Sequence, residues 1–228
     1  MILWGKMPLA SNPDGFFGHA VIDLMKRGAK LVTIDPRVNW LATRSVVQLR
    51  VRNGTDAALA MAMCNILIKE DLYDHDFIER WCYGFDEFAE RVAYMTPEKA
   101  AEICEVPVDD IYRVTRMYAA AKPASIAWGL AFDQNTNGMQ AGQCVLAMIC
   151  MTGNLDVPGG NIVADLSMPE DLTGDAAAGQ SAHNTDTRSF ITEGWYQMTD
   201  EERAECIGMD KYPLYCNQIT GCQADCIL

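Results

Sequence analysis

The chain has 228 residues, 50% of them hydrophobic, which is enough for a substantial core in one large domain or in a domain with an appendage. Its formal net charge of -13 excludes a broad cationic surface of the kind that binds nucleic acid or an anionic membrane, so any phosphate must be held by local loops. The longest strongly apolar stretch, Ala57 to Ile68, is too short to span a bilayer and contains Asn65; it reads as a buried helix, with no direct membrane insertion.

Met1 is followed at once by Ile2-Leu3-Trp4, a strand already in progress, as in an internal piece of a longer polypeptide. The span Gly5 to Gly15 carries Pro8 and Pro13 and is expected to be a loop without regular helix. Phe17, Val21, Leu24 and Met25 then recur at helical spacing, predicting a helix from Phe16 to Arg27 stopped by Gly28. Leu31 to Ile34 is a continuous apolar run, the mark of a parallel strand buried on both faces, and the order strand, helix, strand makes a βαβ unit. Because such crossovers are right-handed, the loops after Trp4 and Ile34 leave the sheet on the same edge. A third strand is expected over Val46 to Val51. Its alternation of Val47, Leu49 and Val51 with Gln48 and Arg50 suits a sheet edge.

Thr55 is placed to N-cap a long helix reaching Lys69, with Asp56 in the first turn. Three shorter helices follow, His75 to Trp81, Phe85 to Met95 and Pro97 to Glu105, in a helical insertion over about 70–108; Thr96-Pro97 is an N-cap followed by proline at the first helical position. A helix from Asp109 to Ala121 returns the chain to a fourth strand, Ala124 to Trp128. After Gly129 comes a polar loop, Asp133 to Gly138, then a helix from Met139 to Met151, then the turn Pro158-Gly159-Gly160-Asn161. The fold class is therefore α/β, a three-layer Rossmann-like domain over 1–164 with a mostly parallel sheet, followed by an irregular, loop-rich extension over 165–228 that is expected to pack on other parts of the protein. Of nine cysteines, Cys64, Cys144 and Cys150 are expected as small core residues, and the spacing of Cys216, Cys222 and Cys226 fits no zinc ribbon.

Three loops are expected to meet at the carboxyl edge of the sheet: Gly5 to Gly15, Asp35 to Arg37 and Asn53 to Asp56. Asp35 suits a ribose hydroxyl or a base edge, or only caps its own turn, and Arg37 suits a phosphate. Asp56 is able to accept two N–H donors at once, as the guanine N1 and N2 edge presents them, or is a solvated acid at a helix start. The backbone N–H groups of Gly54 and Thr55 suit an anion. Asn135 and Asn137 reach a ligand or stabilise a turn. No P-loop, nucleophile elbow, complete dinucleotide fingerprint or acid–base pair is present, so cofactor binding is better supported than autonomous catalysis.

In order, Trp4-Gly5-x-x-Pro8, Gly28-Ala29-Lys30 with Ile34-Asp35-Pro36-Arg37, Gly54-Thr55-Asp56-Ala57-Ala58-Leu59, Tyr73-Asp74-x-Asp76-Phe77, Trp128-Gly129, Asn137-Gly138 and Thr152-Gly153-Asn154 with Pro158-Gly159-Gly160 resemble the molybdopterin oxidoreductases of the dimethyl sulfoxide reductase family. The resemblance covers about 2–163. It implies a fragment of a larger enzyme that holds molybdenum or tungsten on molybdopterin guanine dinucleotide, with a 4Fe-4S cluster and the metal ligand in a preceding domain. It implies that Asp56 contacts guanine and that Gly5, Asp35 and Arg37 border the nucleotide, with Gly54 and Thr55 kept as cofactor-binding candidates for their backbone N–H groups. Met7 departs from the asparagine common in that family. The implied partners are the remaining domains of the same enzyme, an electron-transfer subunit and a small-molecule substrate, in a bacterial cytoplasm or periplasm. A non-redox hydratase or transhydroxylase on the same scaffold, and a stand-alone nucleotide-binding module, are the alternatives.

Overall fold

Four short strands, β1 (Ile2–Trp4), β2 (Val32–Ile34), β3 (Val47–Leu49) and β4 (Ile126–Trp128), form a wholly parallel sheet in the order β3-β2-β1-β4. This computed structural model describes residues 1–11 and 16–162. Trp4, Ile34, Leu49 and Trp128 stand in register at the carboxyl ends, so the loops that follow them share one edge. The chain runs outward from β1 to β2 and β3 and returns on the other side as β4. The strand order therefore reverses beside β1, the place where open α/β sheets leave a crevice.

Helices cover both faces. On one side α1 (Pro8–Ser11) and α2 (Phe16–Lys26) pack with Leu3, Val21, Leu31 and Leu41. On the other, α3 (Asp56–Lys69) lies among α5 (Phe85–Ala93), α6 (Pro97–Cys104), α7 (Val108–Ala120) and α9 (Gly138–Met151). That face holds the larger core, in which Ile2, Trp4, Ile34 and Leu49 meet Leu59, Met63, Ile66, Ile111 and Val145. The alternation of Ile2 and Trp4 against Leu3 is the period-2 pleat that feeds both cores from one strand. Helix α3 is buried nearly all round, and Ala57, Ala58, Ala60 and Ala62 let its neighbours approach closely. The helices of the 70–108 stretch, which include α4 (His75–Trp81), contribute Val92, Ala100 and Cys104 to this same core.

The expected strands and long helices appear with ends shifted by one to two residues, and β3 is a sheet edge as its alternation implied. Thr96 Oγ accepts Lys99 N–H at 3.2 Å with Pro97 in the first turn. Several expectations are corrected. Pro8–Ser11 is a turn of helix, because a proline at the first helical position gives up an N–H that has no intrahelical partner there. A second short helix, α8 (Leu130–Asp133), precedes the polar loop; Phe132 is 1% exposed and packs edge-on to Trp4, and that contact overrides local propensity. Residues Ala42–Arg44 make a 3₁₀ turn held by Asn39, whose side-chain oxygen accepts Ala42 N–H at 2.9 Å. Cys64 and Cys144 are buried, but Cys150 is only half-buried. Cys216, Cys222 and Cys226 and the whole 165–228 extension lie outside the described residues.

Asn65 is the polar residue at the centre of α3. At 1% exposure, its amide nitrogen donates to Val92 O, Ala93 O and Met95 O at 3.2, 3.2 and 2.9 Å, closing the carbonyl end of α5. Asn65→Leu keeps the volume but removes the shared donor from those carbonyls, of which Val92 O keeps the Met95 N–H. It is expected to lower stability by about 2 kcal/mol in urea unfolding, with an unchanged slope against denaturant.

Candidate nucleotide site

The three predicted loops do converge. A cavity of about 410 Å³ at the carboxyl ends of β1, β2 and β3 is lined by Gly5, Asp35, Arg37, Gly54, Asp56 and, from α8 and the turn after it, Phe132 and Asn135. Thr55 is adjacent and does not line it. Two of the lining residues are glycines with positive φ, Gly5 at 57° and Gly54 at 80°, a conformation that disfavours any side chain over the opening. Asn137 Nδ2 reaches Gly54 O at 3.5 Å and so links the fourth strand's loop to the third's.

Asp35 is 3% exposed and faces its own turn. Its Oδ1 accepts Arg37 N–H at 2.8 Å, and its two oxygens accept from the Arg37 guanidinium at 3.3 and 3.2 Å. The turn-capping alternative for Asp35 is thus realised, and the beneficiary is Arg37, whose guanidinium pKa the carboxylate holds above its ordinary value. Gln48 completes the support: its side-chain amide donates to Asp35 O at 3.2 Å and to Arg37 O at 2.8 Å. Its place on the exposed register of an edge strand, opposite the loop after β2, was the only sequence signal for this clamp.

Asp56 is the first residue of α3 and is 8% exposed. Its Oδ1 accepts the Trp4 indole N–H at 2.7 Å. Burial pushes its carboxyl pKa up, and the Trp4 hydrogen bond and its own backbone N–H pull it down. Sequence reasoning missed this partnership, since Trp4 reads only as an apolar strand residue. Thr55 is corrected in two respects. Its hydroxyl donates to Arg52 O at 2.7 Å and makes no side-chain cap for α3. Its backbone N–H donates to the same carbonyl at 3.3 Å and is not held ready for an anion.

A shallower hollow of about 620 Å³ lies alongside, lined by Pro36, Arg50, Arg52, Asn53 and Glu105. Its arginines are engaged, Arg52 with Glu105 at 3.4 Å and Arg50 with Pro36 O at 3.4 Å. Among the described residues no three His, Cys, Asp or Glu side chains come together to hold a metal ion, and no helix is long and apolar enough to cross a membrane.

A family model for molybdopterin oxidoreductase matches residues 3–200. The chain belongs to the molybdopterin oxidoreductase family. Acetylene hydratase of Syntrophotalea acetylenica is 42% identical over 127 residues, 55% of this chain and 17% of that protein. Formate dehydrogenase H of Escherichia coli is 33% identical over 158 residues, 69% of this chain and 22% of that protein. The solved structure of acetylene hydratase from Pelobacter acetylenicus superposes with a TM-score of 0.70 at 29% identity, covering 94% of this chain and 27% of that one. The chain spans only 17% to 27% of the length of these proteins.

Proposed function

We propose that this chain holds the guanosine end of a molybdopterin guanine dinucleotide in a larger molybdenum or tungsten enzyme and does not turn over substrate by itself. The observation that carries the reading is Asp56, a buried carboxylate in a cavity at the strand ends, with one oxygen fixed by Trp4 and acceptor capacity left on the other. Guanine presents two neighbouring N–H donors on one edge, which a carboxylate matches; adenine alternates acceptor and donor there. Gly5 and Gly54 keep the opening clear, and Arg37, pinned by Asp35, holds a cation beside it. When bound, the cofactor supplies the metal that performs the chemistry, while the protein binds and orients it. The remaining domains of the same enzyme, a small-molecule substrate and, for a redox reaction, an electron-transfer subunit are the implied partners. A cluster of the 4Fe-4S type belongs to the same reading, in sequence outside this chain.

Calorimetric titration of the chain with GMP, AMP and inorganic phosphate tests the assignment. GMP is expected to bind at least tenfold more tightly than AMP, because a polar site left unmatched discriminates strongly. Equal affinity for the two nucleotides overturns it.

The likeness to acetylene hydratase favours a second reading, a non-redox hydratase on the same cofactor. The cofactor-binding role of this chain is the same in both. An assay of the full-length enzyme separates them: consumption of an electron acceptor marks the oxidoreductase, and water addition without one marks the hydratase.

A further inference from the structure

Trp4 occupies an unusual position for a tryptophan in the middle of a parallel sheet. It is fully buried, it closes β1, and its ring meets Phe132 edge-on at 5.4 Å and 79°. Its indole N–H has one partner, Asp56 Oδ1 at 2.7 Å, across 52 residues of sequence. The ring is fixed by the sheet on one side and by α8 on the other, so the direction of that N–H is fixed with it. The carboxylate it holds belongs to the first turn of α3, whose own backbone supplies a second donor.

We propose that Trp4 is a positioning residue for ligand recognition, holding Asp56 ionised and turned so that its second oxygen is presented to the cavity. The proposal rests on the reading of Asp56 as the nucleotide contact. The physical reason is the conflict at this carboxylate. A ligand with two N–H donors needs an anion as acceptor, while the 8% exposure of Asp56 favours its protonated form. A donor inside the protein is the remedy, and a tryptophan donates without accepting or carrying charge. A lysine or arginine there would neutralise the acceptor it was meant to orient.

The surroundings provide no other strong source of that control. The charged and titratable groups around Asp56 are the Cys104 thiol at the end of α6, the pair formed by Arg52 on the loop before α3 and Glu105 just after α6, and the Asp35–Arg37 pair across the cavity. Cys104 donates to Thr55 O at 3.4 Å and its pKa is pushed up by burial, so it stays neutral through the acid range. Arg52 is turned to Glu105 and Arg37 to Asp35.

The test compares the unaltered chain with Trp4→Phe, which keeps the aromatic contact with Phe132 and removes the N–H, in GMP titrations across pH. In the unaltered chain affinity is expected to fall as pH drops through the Asp56 pKa, since the protonated carboxyl is a poorer acceptor. In Trp4→Phe GMP binding is expected to weaken roughly tenfold at neutral pH. Its acid limb is expected to move to higher pH, because burial then acts on Asp56 unopposed by the indole. A loss by the same factor at every pH, or no loss, overturns the positioning role. Absence of any GMP preference in the unaltered chain instead overturns the nucleotide reading beneath it. Should Trp4→Phe fail to fold, the indole N–H resonance of Trp4 in the unaltered chain decides. It is expected to titrate with the midpoint of the acid limb and to lose that titration in Asp56→Asn, and an indole signal that ignores pH overturns the proposal.

Discussion

Asp56→Asn is expected to abolish the preference for GMP, weakening its binding about 100-fold while leaving AMP nearly unchanged. The asparagine keeps an oxygen for the Trp4 indole but places an NH₂ group where a second acceptor stood, and that group opposes the two donors of guanine. The same substitution is expected to stabilise the fold by about 1 kcal/mol at neutral pH, since a buried charge is removed. The sign follows from the direction of the pKa. Burial raises the Asp56 carboxyl above its unfolded value, so its contribution to stability is present below the unfolded pKa and is lost as pH rises through the folded one. The stability advantage of the variant should therefore be full at neutral pH and shrink on acidification. In the full-length enzyme the substitution is expected to lower molybdenum or tungsten content. Calorimetry, urea unfolding at two pH values and metal analysis check the three consequences; unchanged GMP binding and metal content would remove Asp56 from the site.

Gly160→Ala is expected to destabilise the chain by about 3 kcal/mol, the largest stability change proposed for a single position here. A Cβ at Gly160 falls 2.3 Å from the carbonyl oxygen of Asn154 and 2.8 Å from a methyl of Val157, and a backbone atom is not free to swing aside. That carbonyl accepts the Asn161 N–H at 2.8 Å, and the Asn161 side chain in turn bonds to both Ile126 N–H and Ile126 O, at 2.9 and 2.8 Å. Displacing the turn therefore loosens β4 as well. Urea unfolding measures the loss, and faster hydrogen exchange at Ile126 N–H locates it. Wild-type exchange at that amide would show that the turn and the strand are not coupled.

The periodic parts of the fold were legible because they follow simple repeats: three of the four strands are short apolar runs, and α3, α6 and α7 carry their spacing and their first-turn residues openly. The elements missed were α1, α8 and the Ala42–Arg44 turn, each about one turn long and held by a tertiary or side-chain contact with no periodicity of its own. At the site, convergence of the loops was readable from βαβ handedness and the ends of the strands. The division of labour among them was not. Nothing in the spacing of Asp35 and Arg37 says that they spend their polar groups on each other, nor does residue 4 declare a bond to residue 56. Long-range partnerships of a single N–H leave no pattern in a sequence.

The Asn161 amide deserves a different description from that of a turn residue. By offering one donor and one acceptor to Ile126, it does for a sheet edge what an adjoining strand does, with a single side chain. Strand β4 is an outer strand among the described residues, and it is apolar, the kind of edge that recruits other chains when left bare. The practical boundary of this domain for expression or fusion therefore lies beyond residue 161. A cut after α9 would keep every helix and strand among the described residues and still turn the sheet into a template for aggregation.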